Sequence, residues 1–438
     1  MSRVIVIGGG LAGLSAAAAL AEAGLDVDLF EARGFLGGRA SSYPCGPDES
    51  AVIDNCQHIL LRCCVNLLDF YHRLGVEDRI RFHRRFHFLE PGGRISTLQA
   101  GPLPPPLHFA GSFPGLKFLA PADKLRIARA LLALPGERRR EDLERITMLE
   151  WLREKRQTPR AITRFWSPVL VSAVNEDLDR MAASHGFQVF RLGFLASARG
   201  HEMGIPETPL GELYGMERWR RFARVRLHPR LPVERVIVEN GAARGVAAGG
   251  ERHAAEAVIC ALPFERAGAV APELGLDLGA FQHSPITGIH LWFDRPVTPL
   301  PHGALLDRTI QWFFSKDGGR YLLLVVSASR SLVEMPRGPI IDLALRELAE
   351  FLPDAASARL ERSHVVKEVR ATFSARPGLE AMRPPARTAV ANLFLAGDWT
   401  RSGWPATMEG AVRSGYLAAE AAAEALGAPR RFLLPDIA

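Results

Sequence analysis

The sequence predicts an α/β fold, and three separated stretches carry the prediction. Near the N-terminus, the β-branched residues 4–7 lead into Gly8-Gly9-Gly10-Leu11-Ala12-Gly13, an alanine-rich segment at 14–23, and a second apolar strand at 27–30 that ends at Glu31. Near the C-terminus, an apolar strand at 393–396 leads into Gly397-Asp398-Trp399-Thr400 and another alanine-rich helix reaching about residue 426. Mid-chain, a strand at 232–238, the turn Glu239-Asn240-Gly241 and a return at Gly245-Val246 precede an apolar strand at 257–261. Short apolar runs without alternation suit strands covered on both faces, as in a parallel sheet. The first piece has the strand, turn, helix and strand order of a Rossmann-like βαβ unit.

The first piece has a physical job for each residue. Gly8 permits the tight turn, Gly10 lets a pyrophosphate approach the backbone, and Gly13 lets the helix pack closely on the strand. The helix N-terminus offers free N–H groups and partial positive charge to phosphates. Gly24 stops the helix. Glu31 lies 18 residues after Gly13, where its carboxylate accepts hydrogen bonds from ribose hydroxyls. Strand, glycine motif, helix and acid in this order predict a bound dinucleotide.

Bulk properties narrow the class. At 438 residues the chain is long enough for at least two domains, and 47% hydrophobic with 23% charged residues argues against global disorder. The formal charge of +6 is spread along the chain. No zinc-ligand spacing or RNA-binding signature accompanies it, so no nucleic-acid partner and no metal are expected. The five cysteines, Cys45, Cys56, Cys63, Cys64 and Cys260, include no CxxC pair, which fits a reduced cytoplasmic chain. Neither a signal peptide nor an apolar run of about 20 residues appears. Any membrane contact is expected to be peripheral, on the inner face of the cell membrane.

Gly37-Gly38-Arg39 follows Glu31, and here the sequence resembles the flavin-containing amine oxidase and phytoene desaturase superfamily. The resemblance implies FAD rather than NAD, with Gly38 and Arg39 supporting its phosphates. It also implies that Gly397 and Asp398 approach the ribitol or pyrophosphate. The backbone amide of Met408 would face the pyrimidine side of the flavin, and Val233 would face the adenine. The cofactor-binding set is then Gly8, Gly10, Gly13, Glu31, Gly38, Arg39, Val233, Gly397, Asp398 and Met408. The resemblance implies a Rossmann-like FAD-binding domain, discontinuous in sequence, from segments 1–75, 228–268 and 388–428, and an α+β substrate-binding domain with a helical cap from 76–227 and 269–387.

A narrower pattern follows. Asp54-Asn55-Cys56-Gln57-His58-Ile59-Leu60-Leu61 looks like the hydroxysqualene dehydroxylases, many of which carry glycine where Cys56 stands. The stretches Phe165-Trp166-Ser167-Pro168-Val169-Leu170 with Asn175-Glu176, Pro209-Leu210-Gly211-Glu212-Leu213-Tyr214, and Pro405 to Gly415 resemble the same enzymes. The resemblance implies an FAD-dependent replacement of an allylic hydroxyl by hydrogen, with hydroxysqualene as the lipophilic partner and squalene as product. A cation formed on the way needs an apolar, dry pocket and aromatic faces. Trp166, Trp399, Trp404, Phe313 and Phe314 are candidates. His58, which titrates near neutral pH, and Asp54 are the candidate catalytic residues, and each also has an ordinary structural reading.

Three other readings stand beside this one: a carotenoid-type desaturase, a flavin amine oxidase, and a non-enzymatic flavoprotein or membrane-associated scaffold. Residues 101–115, rich in proline and glycine, read as a loop or lid. Residues 122–134 read as an amphipathic helix whose apolar side includes Leu125, Ala128 and Leu132. It is expected as a cap helix packed on the core. Its basic neighbours Lys117, Lys124, Arg126, Arg129 and 138–140 suit an anionic bilayer as an alternative.

Overall fold

The computed structural model describes residues 2–45 and 51–437. Its first layer is a five-stranded parallel sheet in the order Val225–Pro229, Asp26–Glu31, Arg3–Ile7, Ala257–Cys260, Leu393–Leu395. The central strands are buried on both faces, Val4 through Ile7 among them, as their unbroken apolar runs require. The edge strand Val225–Pro229 alternates polar and apolar residues and straddles the boundary expected at residue 228.

Two alanine-rich helices cover this sheet and meet face to face. Leu11–Glu22 starts three residues before the predicted 14–23, because the glycine turn closes directly into the first helical turn. Met408–Ala425 returns from the other end of the chain. Small residues let the two backbones touch: a Cβ on Gly415 would lie 2.2 Å from both the Ala12 carbonyl oxygen and Ser15 Oγ. Ser15 Oγ itself donates to the Ala12 and Val412 carbonyls at 3.1 and 3.3 Å.

The second layer is a seven-stranded sheet in the order Leu360–Phe373, His283–Phe293, Tyr321–Ser327, Trp312–Lys316, His302–Leu305, Arg85–Leu89, Ile95–Gln99. All pairings are antiparallel except that between His302–Leu305 and Arg85–Leu89. Period-two alternation gives it two distinct faces. Ile289, Leu291, Leu322, Leu324 and Phe313 form the back face, packed with Ile340, Ala344, Leu348 and Phe351 of helix Arg337–Phe351. Ile286, Val325, Trp312, Phe314 and Phe86 look the other way.

A helical cap lies opposite that front face. Pro121–Glu137, Met148–Glu154, Ser167–Val174 and Ala183–Phe190 enclose an aromatic centre. Trp151 stacks edge-on against Phe187 at 4.8 Å, and Trp166 against Phe190 at 4.7 Å. Pro121–Glu137 buries Asp123, Ile127, Ala130 and Leu134. Leu125 and Leu132, expected on the buried side, are 53% and 66% exposed. Sequence periodicity located the helix but assigned its apolar stripe to the wrong side, because Ile127, Ala130 and Leu134 form a second stripe at similar spacing. No helix among the described residues is long and apolar enough to cross a membrane.

Candidate active site

The glycine turn is shaped to admit a phosphate. Gly8 has φ +104°, and a Cβ there would lie 2.8 Å from the Ala261 carbonyl oxygen. A Cβ on Gly13 would lie 2.0 Å from the Gly8 carbonyl oxygen, so the helix can sit on the strand only with glycine here. At Gly10 the space is open, with Gly38 Cα at 3.9 Å the one nearby atom. The helix starting at Leu11 has neither a capping side chain nor an acid in its first turn. Its N–H groups are left for an anion. Glu31 accepts from the backbone N–H of Gly9 and of Arg33, both at 2.7 Å, so its carboxylate stands beside the glycine turn. The hole at Gly10, the uncapped helix start and the acid fit an adenine dinucleotide.

The distant pieces converge on this turn. Gly37 N donates to Gly9 O at 2.8 Å, which lays the Gly37-Gly38-Arg39 turn against the glycine motif. Arg39 Nη2 reaches Asp398 Oδ1 at 2.5 Å, and Arg39 Nη1 reaches the Ala371 carbonyl at 2.9 Å. Leu231 N donates to Glu31 O at 3.0 Å, so Val233 begins its strand close beside the acid. Gly397 has φ +143° and donates its N–H to Ser414 Oγ at 2.8 Å. Met408 opens its helix behind Thr407, whose hydroxyl accepts from Gly410 N at 3.0 Å. Around the glycine turn these contacts assemble Glu31, the Gly37–Arg39 turn, Leu231 and, through Arg39, Asp398 into one trough, although 359 positions separate Arg39 from Asp398.

Arg383 fastens the C-terminal side of that trough. It is 1% exposed. It donates to the carbonyls of Asp398 and Trp404 at 2.9 and 2.8 Å, to the Thr400 carbonyl, and to Glu380 Oε2 at 2.6 Å. No local motif marks it, because its partners are backbone carbonyls of a loop that lies 15 to 21 residues downstream.

A largely apolar cavity runs from the trough between the seven-stranded sheet and the cap. Cys56, Gln57, Thr407 and Met408 line the end near the cofactor segments. Phe86, Trp312 and Phe314 come from the sheet, Pro168, Val169, Leu192 and Phe194 from the cap, and Trp404 from the C-terminal loop. Leu192 and Phe194 sit in a π-helical turn at Arg191–Leu195, an irregularity often found at functional sites. Two of the five aromatic candidates, Trp404 and Phe314, are therefore in the wall. Three are not: Phe313 points into the back-face core, Trp166 is tied to Gln157 Oε1 at 2.9 Å, and Trp399 is tied to the Leu262 carbonyl at 2.9 Å. Phe86, Phe194 and Trp312 replace them. Register decides between Trp312 and Phe313, and the run Trp312-Phe313-Phe314 carries no sequence clue to it.

Asp54 and His58 lie beside the cavity's polar margin and not among its lining residues. Asp54 Oδ1 accepts from Ser42 Oγ at 2.6 Å and Leu210 N at 2.9 Å, and Oδ2 faces Lys316 Nζ at 3.5 Å. His58 Nδ1 lies 3.0 Å from the Cys56 carbonyl. A carbonyl only accepts, so this bond puts the neutral ring's proton on Nδ1. Burial pushes the imidazole pKa below its ordinary value.

Glu409 is the one carboxyl in the cavity wall among the described residues. Burial pushes it up to about 7, against the N–H groups of Leu67 and Asn66, which favour the charged form. Its oxygens accept from Leu67 N at 2.7 Å and Asn66 Nδ2 at 2.9 Å. Glu409 lies within the Pro405 to Gly415 stretch, and no local signal marks its role, since the partners that bury it lie over 340 residues away.

A phosphate-receiving Rossmann turn, joined to an apolar cavity under a substrate sheet, defines an FAD-dependent oxidoreductase. The sequence profile of the flavin containing amine oxidoreductases matches residues 11–423, and the chain belongs to that family. It is 29% identical over 443 residues to a hydroxysqualene dehydroxylase of Sinorhizobium fredii, covering 96% of this chain and 98% of the relative. It is 26% identical over 457 residues to a 15-cis-phytoene desaturase of Synechococcus elongatus, covering 96% and 95%. An oxidoreductase from Methanosarcina mazei superposes with TM-score 0.71 at 20% identity, covering 94% of this chain and 98% of the other. A putrescine oxidase superposes with TM-score 0.72 at 16% identity, covering 97% and 99%. These two structures share the fold.

Proposed function

We propose that this chain removes the allylic hydroxyl of hydroxysqualene to give squalene, using FAD bound by segments 1–75, 228–268 and 388–428. The observation that carries the reading is the cavity: largely apolar, lined by Phe86, Phe194, Trp312, Phe314 and Trp404, and bordered by Cys56, Gln57, Thr407 and Met408. The near end-to-end match to a hydroxysqualene dehydroxylase supports it. The phosphates of FAD would rest on the Gly8–Gly13 turn with Arg39 and Asp398 nearby, its ribose on Glu31, its adenine near Val233 and its flavin near Met408. Bound FAD supplies hydride transfer.

The chain's own residues do the rest. The wall excludes water, which would otherwise recapture an allylic cation. Phe314, Trp312 and Phe86 offer ring faces to that cation. The proton for the departing hydroxyl is assigned to Glu409, a carboxyl in the wall that stays partly protonated near neutral pH. His58 and Asp54 act as positioning residues: His58 holds the Cys56 carbonyl and Asp54 joins Ser42, Leu210 and Lys316, fixing the segment between them.

Reduced, fully flavinated enzyme incubated anaerobically with hydroxysqualene should yield squalene, read by mass analysis of the lipid. Failure of that conversion sinks the assignment. The second reading is a carotenoid desaturase, supported by matches of similar identity to phytoene and ζ-carotene desaturases. It calls for oxidised enzyme to desaturate phytoene, so the two readings start from opposite flavin states.

A further inference from the structure

We propose that Cys63 and Cys64 form a dithiol site in the cavity wall that captures trivalent arsenicals and thereby blocks the cavity. The two residues are adjacent in sequence, between the short strand Leu60–Leu61 and helix Val65–Leu74. Both line the cavity, beside Trp404, Thr407 and Met408. Both are free thiols. Cys63 packs with Leu192 and Trp404, and Cys64 borders the same cluster. The two thiols lie within interaction range of each other.

The backbone holds this pair in place before any ligand arrives. Cys63 N donates to the Gly200 carbonyl at 3.2 Å, Cys64 N to Leu61 O at 2.9 Å, and Val65 N to Cys63 O at 2.9 Å. Preorganised donors lose little freedom on chelation. The hydrogen bond with the neighbouring Cys63 thiol, then burial, hold Cys64 well above the ordinary thiol range, so a one-thiol electrophile reacts poorly here. A mono-substituted arsenical gains from both sulfurs at once. Two As–S bonds form, the As=O oxygen leaves as water with the two thiol protons, and arsenic stays trivalent. No oxidant or reductant is consumed. Cys56 lines the same cavity but has no adjacent cysteine.

The test uses FAD-loaded enzyme and phenylarsine oxide. Intact mass should show one phenylarsenic group per chain, reversed by a 1,2-dithiol and not by a monothiol. Cys63→Ser and Cys64→Ser should each abolish stoichiometric capture while the flavin spectrum shows a folded holoenzyme, and Cys56→Ser should retain it. Filling the cavity beforehand with squalene, at ten times its dissociation constant, should slow capture about tenfold. Slowing by phytoene alone would support the dithiol site while counting against the dehydroxylase reading. Undiminished capture by Cys63→Ser or Cys64→Ser, or no slowing by either lipid, overturns the proposal.

Discussion

At the scale of single residues, buried charge does most to shape the site. Arg383 sits under the loop that carries Asp398 and closes the trough, and all its donors are used by that loop and Glu380. Arg383→Ala leaves several buried carbonyls unpaired, each costing about 1–3 kcal/mol. The variant should lose about 3–5 kcal/mol of stability and release FAD on gel filtration, whereas Arg401→Ala, at the exposed edge of the same loop, should not. Glu409 gives a pH signature. Its carboxyl rises from 4.5 in the unfolded chain to about 7 when folded. Between those values the folded chain holds more protons than the unfolded one, so its contribution makes stability fall as pH rises through the window. As proton donor it should also make turnover fall as pH rises past about 7. Glu409→Gln should remove both slopes, seen in melting curves and in the pH dependence of kcat. If turnover keeps its alkaline limb in that variant, Glu409 only ties helix Val65–Leu74 to the final helix.

At the scale of elements, what could be read depended on whether partners were local. The glycine turn, its helix and Glu31 were legible because most of their steric demands are local, Gly13 against Gly8 and Val6 and Gly9 against Glu31 and Leu36. The crossing of Leu11–Glu22 with Met408–Ala425 was not, although both helices were, since neither sequence states which small residues meet. That crossing predicts a sharp steric effect: Gly415→Val drives a side chain into Ala12 and Ser15. Overpacking of this kind costs about 1–3 kcal/mol or more, and here it displaces the helix that presents the phosphate-binding turn. The variant should melt earlier and bind FAD weakly, while Gly338→Val, at an open position near the start of helix Arg337–Phe351, should perturb FAD binding little. Helix Pro121–Glu137 shows the opposite lesson. Its existence was legible, but two apolar stripes competed, and the core took Ile127, Ala130 and Leu134. The leftover stripe, Leu125 and Leu132 with Arg126 and Arg129 also exposed, suits the surface of an anionic bilayer. Leu125→Asp with Leu132→Asp should leave the melting temperature unchanged and reduce co-sedimentation with phosphatidylglycerol vesicles. Equal sedimentation of both proteins would remove that helix as a membrane contact.

At the scale of the whole molecule, the nucleotide-binding layer was legible and the cavity was not. Both chain ends announce the layer by a strand, a glycine-bearing turn and an alanine-rich helix, and the middle by the apolar strand at 257–261. The cavity is made where the sheet's front face meets the cap, and its wall follows from strand parity and helix rotation, which no local pattern fixes. The same assembly buries imidazoles in apolar surroundings. Burial lowers His185, His290 and His302 to about 3, and both nitrogens of His302 lack a partner among the described residues. In the unfolded chain these rings take up protons near pH 6.5, but in the folded chain only near pH 3. The unfolded state therefore binds more protons across that interval, and their contribution to stability is present above pH 6.5 and drains away as pH falls toward 3. This runs opposite to Glu409, and three groups outweigh one. The protein should thus lose stability steeply on acidification, with proton uptake on unfolding at pH 5 measurable by calorimetry in buffers of different ionisation enthalpy. His302→Phe, which keeps a ring beside Phe86, Trp312 and Phe314, should reduce that uptake and flatten the acid limb. Unchanged uptake in the variant would mean that His302 is already charged in the folded protein.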